Sequence, residues 1–111
     1  MARKGQGVFL VYTDLIEPKY EEEFNAWYNT EHLPELLAVP GVLDAARYVA
    51  TKGGPKHLAA YEIASVDVLQ TPEFKNRPRT PLGPARFPNG HWQKFCAYRR
   101  AADLPEWPRK S

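Results

Sequence analysis

Apolar side chains first gather at Gly7-Val8-Phe9-Leu10-Val11-Tyr12-Thr13, a run rich in β-branched and aromatic residues. Both faces of such a segment are apolar, which predicts a central β-strand. After Pro18 the spacing changes. Tyr20, Phe24, Trp27 and Tyr28 fall at i, i+4, i+7 and i+8, one face of an α-helix. Pro18 suits the first helical turn, where a missing N–H costs nothing. Glu21, Glu22 and Glu23 place negative charge at the positive end of the helix dipole. Pro34 disfavours helical geometry at Leu33, so the helix is predicted to end near His32. One further short turn over 34–39 precedes the stop at Pro40-Gly41.

Residues 42–50 are predicted as a strand, closed by the turn Lys52-Gly53-Gly54-Pro55. A second strand over 57–64 follows directly, so the two are expected to form a hairpin. Ser65 is a candidate N-cap for a short helix through Val66, Val68 and Leu69, which Pro72 breaks or restarts. Residues 76–91 contain Pro78, Pro81, Pro84 and Pro88 with Gly83 and Gly90, which predicts a long loop. A last strand covers 92–100, and 101–111 reads as an extended tail. No repeat or linker divides the chain, so 1–111 is expected to be a single domain.

The order β-α-β-β-α-β is the ferredoxin-like arrangement, an α+β fold with a four-stranded antiparallel sheet and helices on one face. The strands are apolar on both sides: Phe9 and Val11 against Val8, Leu10 and Tyr12, then Trp92, Cys96 and Tyr98 against Phe95 and Ala97. One helical layer leaves the other face bare, on the order of 10 kcal/mol of exposed apolar surface at ~25 cal/mol/Å². Pairing with a second copy removes that penalty, so a homodimer is expected. A charge at Val11 or Phe95, whichever faces the partner, is expected to weaken it. The proline-rich loop and the tail around Trp107 are candidates to wrap the partner.

The chain has 111 residues, 43% hydrophobic and 25% charged, and 15 basic against 13 acidic residues leave a net charge of +2. That balance argues against recruitment of nucleic acid or an anionic membrane by bulk electrostatics. No apolar run approaches the ~20 residues needed to span a bilayer. The stretch 8–12 is too short for the core of a signal peptide, so a cytoplasmic location is expected. The single cysteine, Cys96, excludes an internal disulfide and any thiolate cluster. His32, His57 and His91 lie far apart without ligand spacing, so no metal site is expected. No phosphate-cradling loop or serine nucleophile elbow is present, and no cofactor is expected.

The segment Phe24-Asn25-Ala26-Trp27-Tyr28-Asn29-Thr30-Glu31-His32-Leu33-Pro34-Glu35, followed by Val39-Pro40-Gly41-Val42, resembles the EthD-like branch of the dimeric α/β-barrel superfamily. Ala46-Arg47-Tyr48 and Gly53-Gly54-Pro55 with Leu58-Ala59-Ala60-Tyr61-Glu62 are similar to that group's central hairpin. The resemblance covers roughly residues 7 to 75, more weakly the last strand. It implies a ferredoxin-like protomer and a dimer whose two sheets close a barrel. The wider superfamily includes monooxygenases without metals or flavins, muconolactone-type isomerases, polyketide cyclases and haem-handling proteins. Their pockets lie between sheet and helices or within the barrel. The proline-rich loop has no counterpart in that pattern.

Among candidate site residues, His32 continues the helical stripe of Phe24 and Tyr28. An imidazole there can act as general acid or base, or simply cap the helix end. Asn29 can orient that ring or bind a substrate oxygen, or face water. Glu31 ranks below His32, as a solvated or paired carboxylate. Trp27, Tyr28, Tyr12, Tyr48 and Tyr61 are candidates to line a hydrophobic binding site, with packing as the simpler role for each tyrosine. Arg47, unusual in the middle of a strand, can bind an anionic group or lie on a solvated face. Trp92 suits an interface, Cys96 an inert core position, and His57 and His91 are expected to be exposed.

These residues lead to one expectation and two rivals. The first is a small homodimeric, cofactor-independent enzyme using His32 and Asn29 on an aromatic or polyketide-like small molecule. Isomerisation, cyclisation and substrate-assisted oxygenation are the reactions considered. A non-catalytic binder of a hydrophobic ligand or haem is the second, and a structural dimer without a pocket is the third.

Overall fold

The computed structural model of the chain describes residues 5–15, 18–77 and 91–101. Expectations placed on the loop beyond 77, on Trp107 and the tail from 102, and on the side chains of His91 and Trp92 lie outside the described residues. Strand β1 is Gly7–Leu15, and a 3-10 turn at Pro18–Tyr20 leads into helix α1, Glu21–Trp27. A π-helical turn, Tyr28–His32, joins α1 to α2, Leu33–Leu37. Strands β2 (Val42–Val49) and β3 (His57–Ile63) form the expected hairpin. A 3-10 turn at Val66–Gln70, helix α3 at Pro72–Lys75 and strand β4 at His91–Arg99 complete the described chain. The sheet order is β2-β3-β1-β4 with every pairing antiparallel, the ferredoxin-like arrangement.

The helix does not stop at His32 as its proline predicts. It passes through Pro34 by widening: the Leu33 N–H bonds to the carbonyl of Tyr28, five residues back. A proline inside a helix has no N–H to give, and its ring collides with the carbonyl four residues earlier. A π-turn placed just before it absorbs both defects, leaving Pro34 in the tolerant first turn of α2. The Thr30 hydroxyl also donates to the Ala26 carbonyl at 2.6 Å, within the stretch where the ladder changes register. Leu36 is thereby carried onto the core and buried there.

Strand pleating divides the sheet cleanly. Phe9, Val11 and Thr13 of β1 share the helix-side face with His57, Ala59, Tyr61 and Ile63 of β3. Phe24, Trp27, Tyr28 and Leu36 pack onto that face and form the core with Val11, Ala59, Tyr61 and Ile63. In β2 a bulge between Val42 and Asp44 shifts the register by one residue. A one-residue slip reverses the side chains that follow, so Val42 points to the helices and then Arg47, opposite Ala59, does as well.

The opposite face carries Val8, Leu10, Tyr12, Leu58, Ala60, Tyr48, Cys96 and Tyr98 and has no helix over it among the described residues. Val8, Tyr48 and Tyr98 are exposed there. Val11 and Phe95 therefore do not lie on the bare face, contrary to one expectation. They pair with each other on the helix side, where Val11 is buried and Phe95 remains 61% exposed near the sheet edge.

The short helical elements are capped by hydroxyls: that of Ser65, the N-cap its sequence predicts, accepts from the Asp67 N–H, and that of Thr71 accepts from the Phe74 N–H. Gly41, which ends the helical layer, has a φ of 95°, and a Cβ there would lie 2.5 Å from Val68 Cγ2. Gly53, in the hairpin turn, has a φ of 76° with open space around it. Gly41→Ala should therefore lose about 2 kcal/mol or more, from strain plus collision. Gly53→Ala should lose only about 1 kcal/mol, the backbone cost alone. Chemical-denaturation midpoints measure the difference, and equal losses would contradict the close approach of Val68.

Candidate functional site

The helix–sheet interface holds a polar cluster and an aromatic one, joined by the ring of Tyr28. The first is built around Arg47, which the β2 bulge turns inward. Its Nη1 donates to Asn29 Oδ1 at 3.1 Å and its Nη2 to Asn25 Oδ1 at 2.8 Å. Nη2 also lies 3.3 Å from His57 Nδ1. The guanidinium sits 4.9 Å from the Tyr28 ring centre and 5.5 Å from that of Phe24, within cation–π range. One strand side chain thus grips α1 and the π-turn together.

His57 is buried, not exposed, and packs against Phe24 with ring centres 4.9 Å apart. Its Nε2 lies 3.0 Å from a carboxylate oxygen of Glu21, which can only accept, so Nε2 carries a proton. Nδ1 of the neutral ring is then the acceptor that Arg47 needs. Burial lowers the His57 pKa from its ordinary value, and the Arg47 charge adds to the effect. Glu21 is also bridged by Lys56 at 2.6 Å, and that hydrogen bond holds its pKa below the ordinary value.

The second cluster is aromatic. The His32 ring stacks on Trp27 with centres 4.6 Å apart and an interplanar angle of 17°, and meets Tyr28 edge-on at 5.0 Å. Its Nδ1 is 3.6 Å from Glu35 Oε1, one helical turn later. Across the interface, Tyr61 is 5.8 Å from Phe9, which in turn meets Phe74 edge-on at 5.9 Å. Burial raises the pKa of both Tyr28 and Tyr61 above the ordinary phenol value. Beyond Glu35, a cleft of about 440 Å³ opens between α2 and α3, with Val39, Pro72 and Arg77 on its walls.

The structure brings together Trp27, Tyr28, His32, Tyr61, Arg47 and Asn29 on the helix side of the sheet. Tyr12 and Tyr48 are on the opposite face, with Tyr48 exposed, so they do not join this group. Asn29 is exposed and serves Arg47 through its oxygen. Glu21, Asn25, Glu35, His57 and Arg77 belong to the interface although the sequence reading passed over them or left them outside. His57 had a usable signal: it starts the alternation His57, Ala59, Tyr61, Ile63, whose other members are all apolar or aromatic. No three His, Cys, Asp or Glu side chains gather as a metal-holding group among the described residues. No helix of the described chain is long and apolar enough to cross a membrane.

The buried state of His57 has a consequence for pH. Above the ordinary value of 6.5, folded and unfolded chains both hold it neutral, and its contribution to stability is complete. As pH falls below that value the unfolded chain takes up the proton first, and stability drops until the lower folded-state pKa is passed. Glu21 acts in the same sense further into acid. Its contribution is present above the ordinary carboxylate value of 4.5 and lost as pH falls through the folded one. The melting temperature should therefore fall between pH 7 and pH 5. His57→Phe should flatten that slope while costing about 1–3 kcal/mol at neutral pH, because Arg47 and Glu21 each lose a partner. The same slope in both proteins would contradict a buried neutral imidazole.

No protein-family model and no curated protein matches the sequence. Solved structures do match. HapK from Hahella chejuensis superposes with a TM-score of 0.60 at 10% identity, over 87% of this chain and 94% of that one. A conserved protein from Methanosarcina mazei Go1 gives 0.55 at 15% identity, over 86% and 93%. SnoaB, a cofactor-independent oxygenase from Streptomyces nogalater solved in a mutant form, gives 0.50 at 13% identity, over 92% and 100%. At such identities the likeness is one of fold. The chain has the ferredoxin-like α+β fold that these proteins share and that its resemblance to the EthD-like group implied.

Proposed function

We propose that the chain is a small homodimeric enzyme that works on an aromatic or polyketide-like molecule by cofactor-independent acid–base chemistry, with His32 moving the proton. The observation that carries this reading is the setting of His32. The ring is stacked on Trp27, crossed by Tyr28 and faced by the Glu35 carboxylate at 3.6 Å. With its Nδ1 edge facing the Glu35 carboxylate at 3.6 Å, the ring would exchange the proton through Nε2. Trp27, Tyr28 and Tyr61 form the buried aromatic wall behind His32, and Arg47, held by Asn29 and Asn25, keeps a positive charge beside it. Charge that builds on a substrate oxygen during proton removal would be stabilised by that cation. Isomerisation, cyclisation and substrate-assisted oxygenation all begin with such a step. SnoaB, described as a cofactor-independent oxygenase, has the same fold, but fold alone selects no reaction and the chemistry rests on the site. A cytoplasmic location is part of the same reading.

Support for the dimer comes from the bare face. Leu10, Tyr12, Leu58, Ala60 and Tyr98 form a contiguous apolar surface across three neighbouring strands. A second copy laid on that face would take this surface out of water by a two-fold arrangement in which one patch serves both chains. Tyr12 and Tyr48 would then belong to the interface and not to the substrate.

Two outcomes are expected. Turnover of an identified aromatic substrate by His32→Ala should fall about 100-fold or more with the circular dichroism spectrum unchanged, the usual scale for removing a general acid or base. Unchanged turnover in the folded variant removes His32 from the mechanism. Sedimentation of the unaltered protein at micromolar concentration should show a dimer, and Leu10→Glu should shift it to monomer. A compact monomer throughout would contradict the interface.

A further inference from the structure

Arg47 is a half-buried cation without a carboxylate of its own. It enters the helix–sheet interface from β2, an edge strand of the sheet, and forms no ion pair among the described residues. Its acceptors are neutral: Asn29 Oδ1 at 3.1 Å, Asn25 Oδ1 at 2.8 Å and His57 Nδ1 at 3.3 Å. The charge of Glu21 reaches it, but that carboxylate is engaged with Lys56 and His57. Arg47 and Lys56 against Glu21, with His57 neutral, leave one positive charge unbalanced. Burial lowers the Arg47 pKa, the direction that desolvation of a cation gives. Proteins rarely bury a charge without pairing it. Holding α1 to β2 needs only donors, which a neutral amide supplies, so the charge calls for a further role.

The cluster also keeps donors that open to solvent. Arg47 carries five N–H groups, and three are directed at Asn29, Asn25 and His57. Its Nε has no protein partner among the described residues and is not sealed from water. Asn25 and Asn29 stand one helical turn apart and each turns its oxygen to the guanidinium. Their NH2 groups therefore flank the cation, and neither has a partner among the described residues. Asn29 is exposed, and its bond to Arg47 lies at the surface. Ala45 and Val49, two residues to either side of Arg47, share its face of β2, and Val49 is 59% exposed. A ligand reaches these donors sideways, from the open edge of the sheet, without entering the aromatic core.

From this we infer that Arg47, Asn25 and Asn29 bind the carboxylate of a small organic acid at the β2 edge of the helix–sheet interface. A carboxylate matches the single unbalanced charge, whereas a phosphate dianion exceeds it. Its two oxygens can accept from the guanidinium and from an asparagine NH2 at once. The inference rests on the proposed function only in making that acid the substrate, and it deepens that reading by naming the group that anchors it. The anion site itself stands apart from His32.

A matched pair of probes tests this. 2-Naphthoate and 2-naphthamide have the same rings and nearly the same shape, but only the first is charged. Isothermal titration calorimetry on the full chain at low ionic strength should show 2-naphthoate binding about tenfold or more tighter than 2-naphthamide. Asn29→Asp keeps an oxygen on Arg47, removes an NH2 donor and supplies a built-in counter-ion. It should abolish the preference while raising the melting temperature of the unliganded protein, because the cation gains the partner it lacks. Arg47→Met should also abolish the preference, and Asn29→Asp carries the test if that variant does not fold. His32→Ala should keep the preference, so failure of the proton carrier and failure of the anion site are read separately. Equal affinity for the two probes, no binding of 2-naphthoate at millimolar concentration, a preference that survives in Asn29→Asp, or a lower melting temperature for that variant would each overturn the inference.

Discussion

A proline in the interior of a helix must be accommodated, and in this chain the geometry of the interface depends on how Pro34 is accommodated. Because Pro34 offers no N–H and crowds the carbonyl four residues earlier, the helix widens into a π-turn over Tyr28–His32 and then resumes. A break at that point would have freed the following residues to leave the sheet. Continuation instead carries Leu36 onto the core and places Glu35 against His32. The extra residue in the turn also lets Tyr28 point at Tyr61 while His32 lies flat on Trp27. Single π-turns of this kind recur at functional sites, and here the turn contains both Tyr28 and His32.

The sheet contributes a second irregularity of matching consequence. The bulge at Val42–Asp44 reverses the side chains of β2, so that Arg47 enters the interface in place of its neighbours. A guanidinium keeps its charge in a protein, so entering the interface required acceptors, and Asn25, Asn29 and the neutral ring of His57 provide them. Glu21 then holds His57 from the other side. Helix start, π-turn, β2 and β3 are tied by this one chain of contacts, and Tyr28 is the ring between it and the aromatic cluster.

Much of the fold could be read from spacing. The helical face of Phe24, Trp27 and Tyr28 follows from a period of 3.6, and the hairpin follows from Gly53-Gly54-Pro55. The cap at Ser65 follows from a short hydroxyl side chain placed before an apolar turn. The two irregularities could not be read, because each is decided by packing between distant segments. Whether Pro34 ends a helix or widens it depends on the burial of Leu36, and the bulge depends on the pairing of β2 with β3. Arg47 consequently looked ambiguous in the sequence. The separation of Tyr12 from Tyr61 was legible in principle, since Tyr12 lies between Val11 and Thr13, which point to the helices. His57 was missed for a different reason: its position beside a turn outweighed the alternation it begins.

The central claim is that the ligand lies between helix and sheet and not on the bare face. Chemical-shift mapping of the isotope-labelled protein with 1-tetralone, a small aryl ketone that stands in for an aromatic or polyketide-like substrate, locates it directly. The account predicts that the largest perturbations fall on Tyr28, Tyr61, His32 and Trp27, with Tyr12, Tyr48 and Tyr98 nearly unchanged. Perturbations centred on Tyr12, Tyr48 and Tyr98 would place the ligand on the other side of the sheet and contradict it.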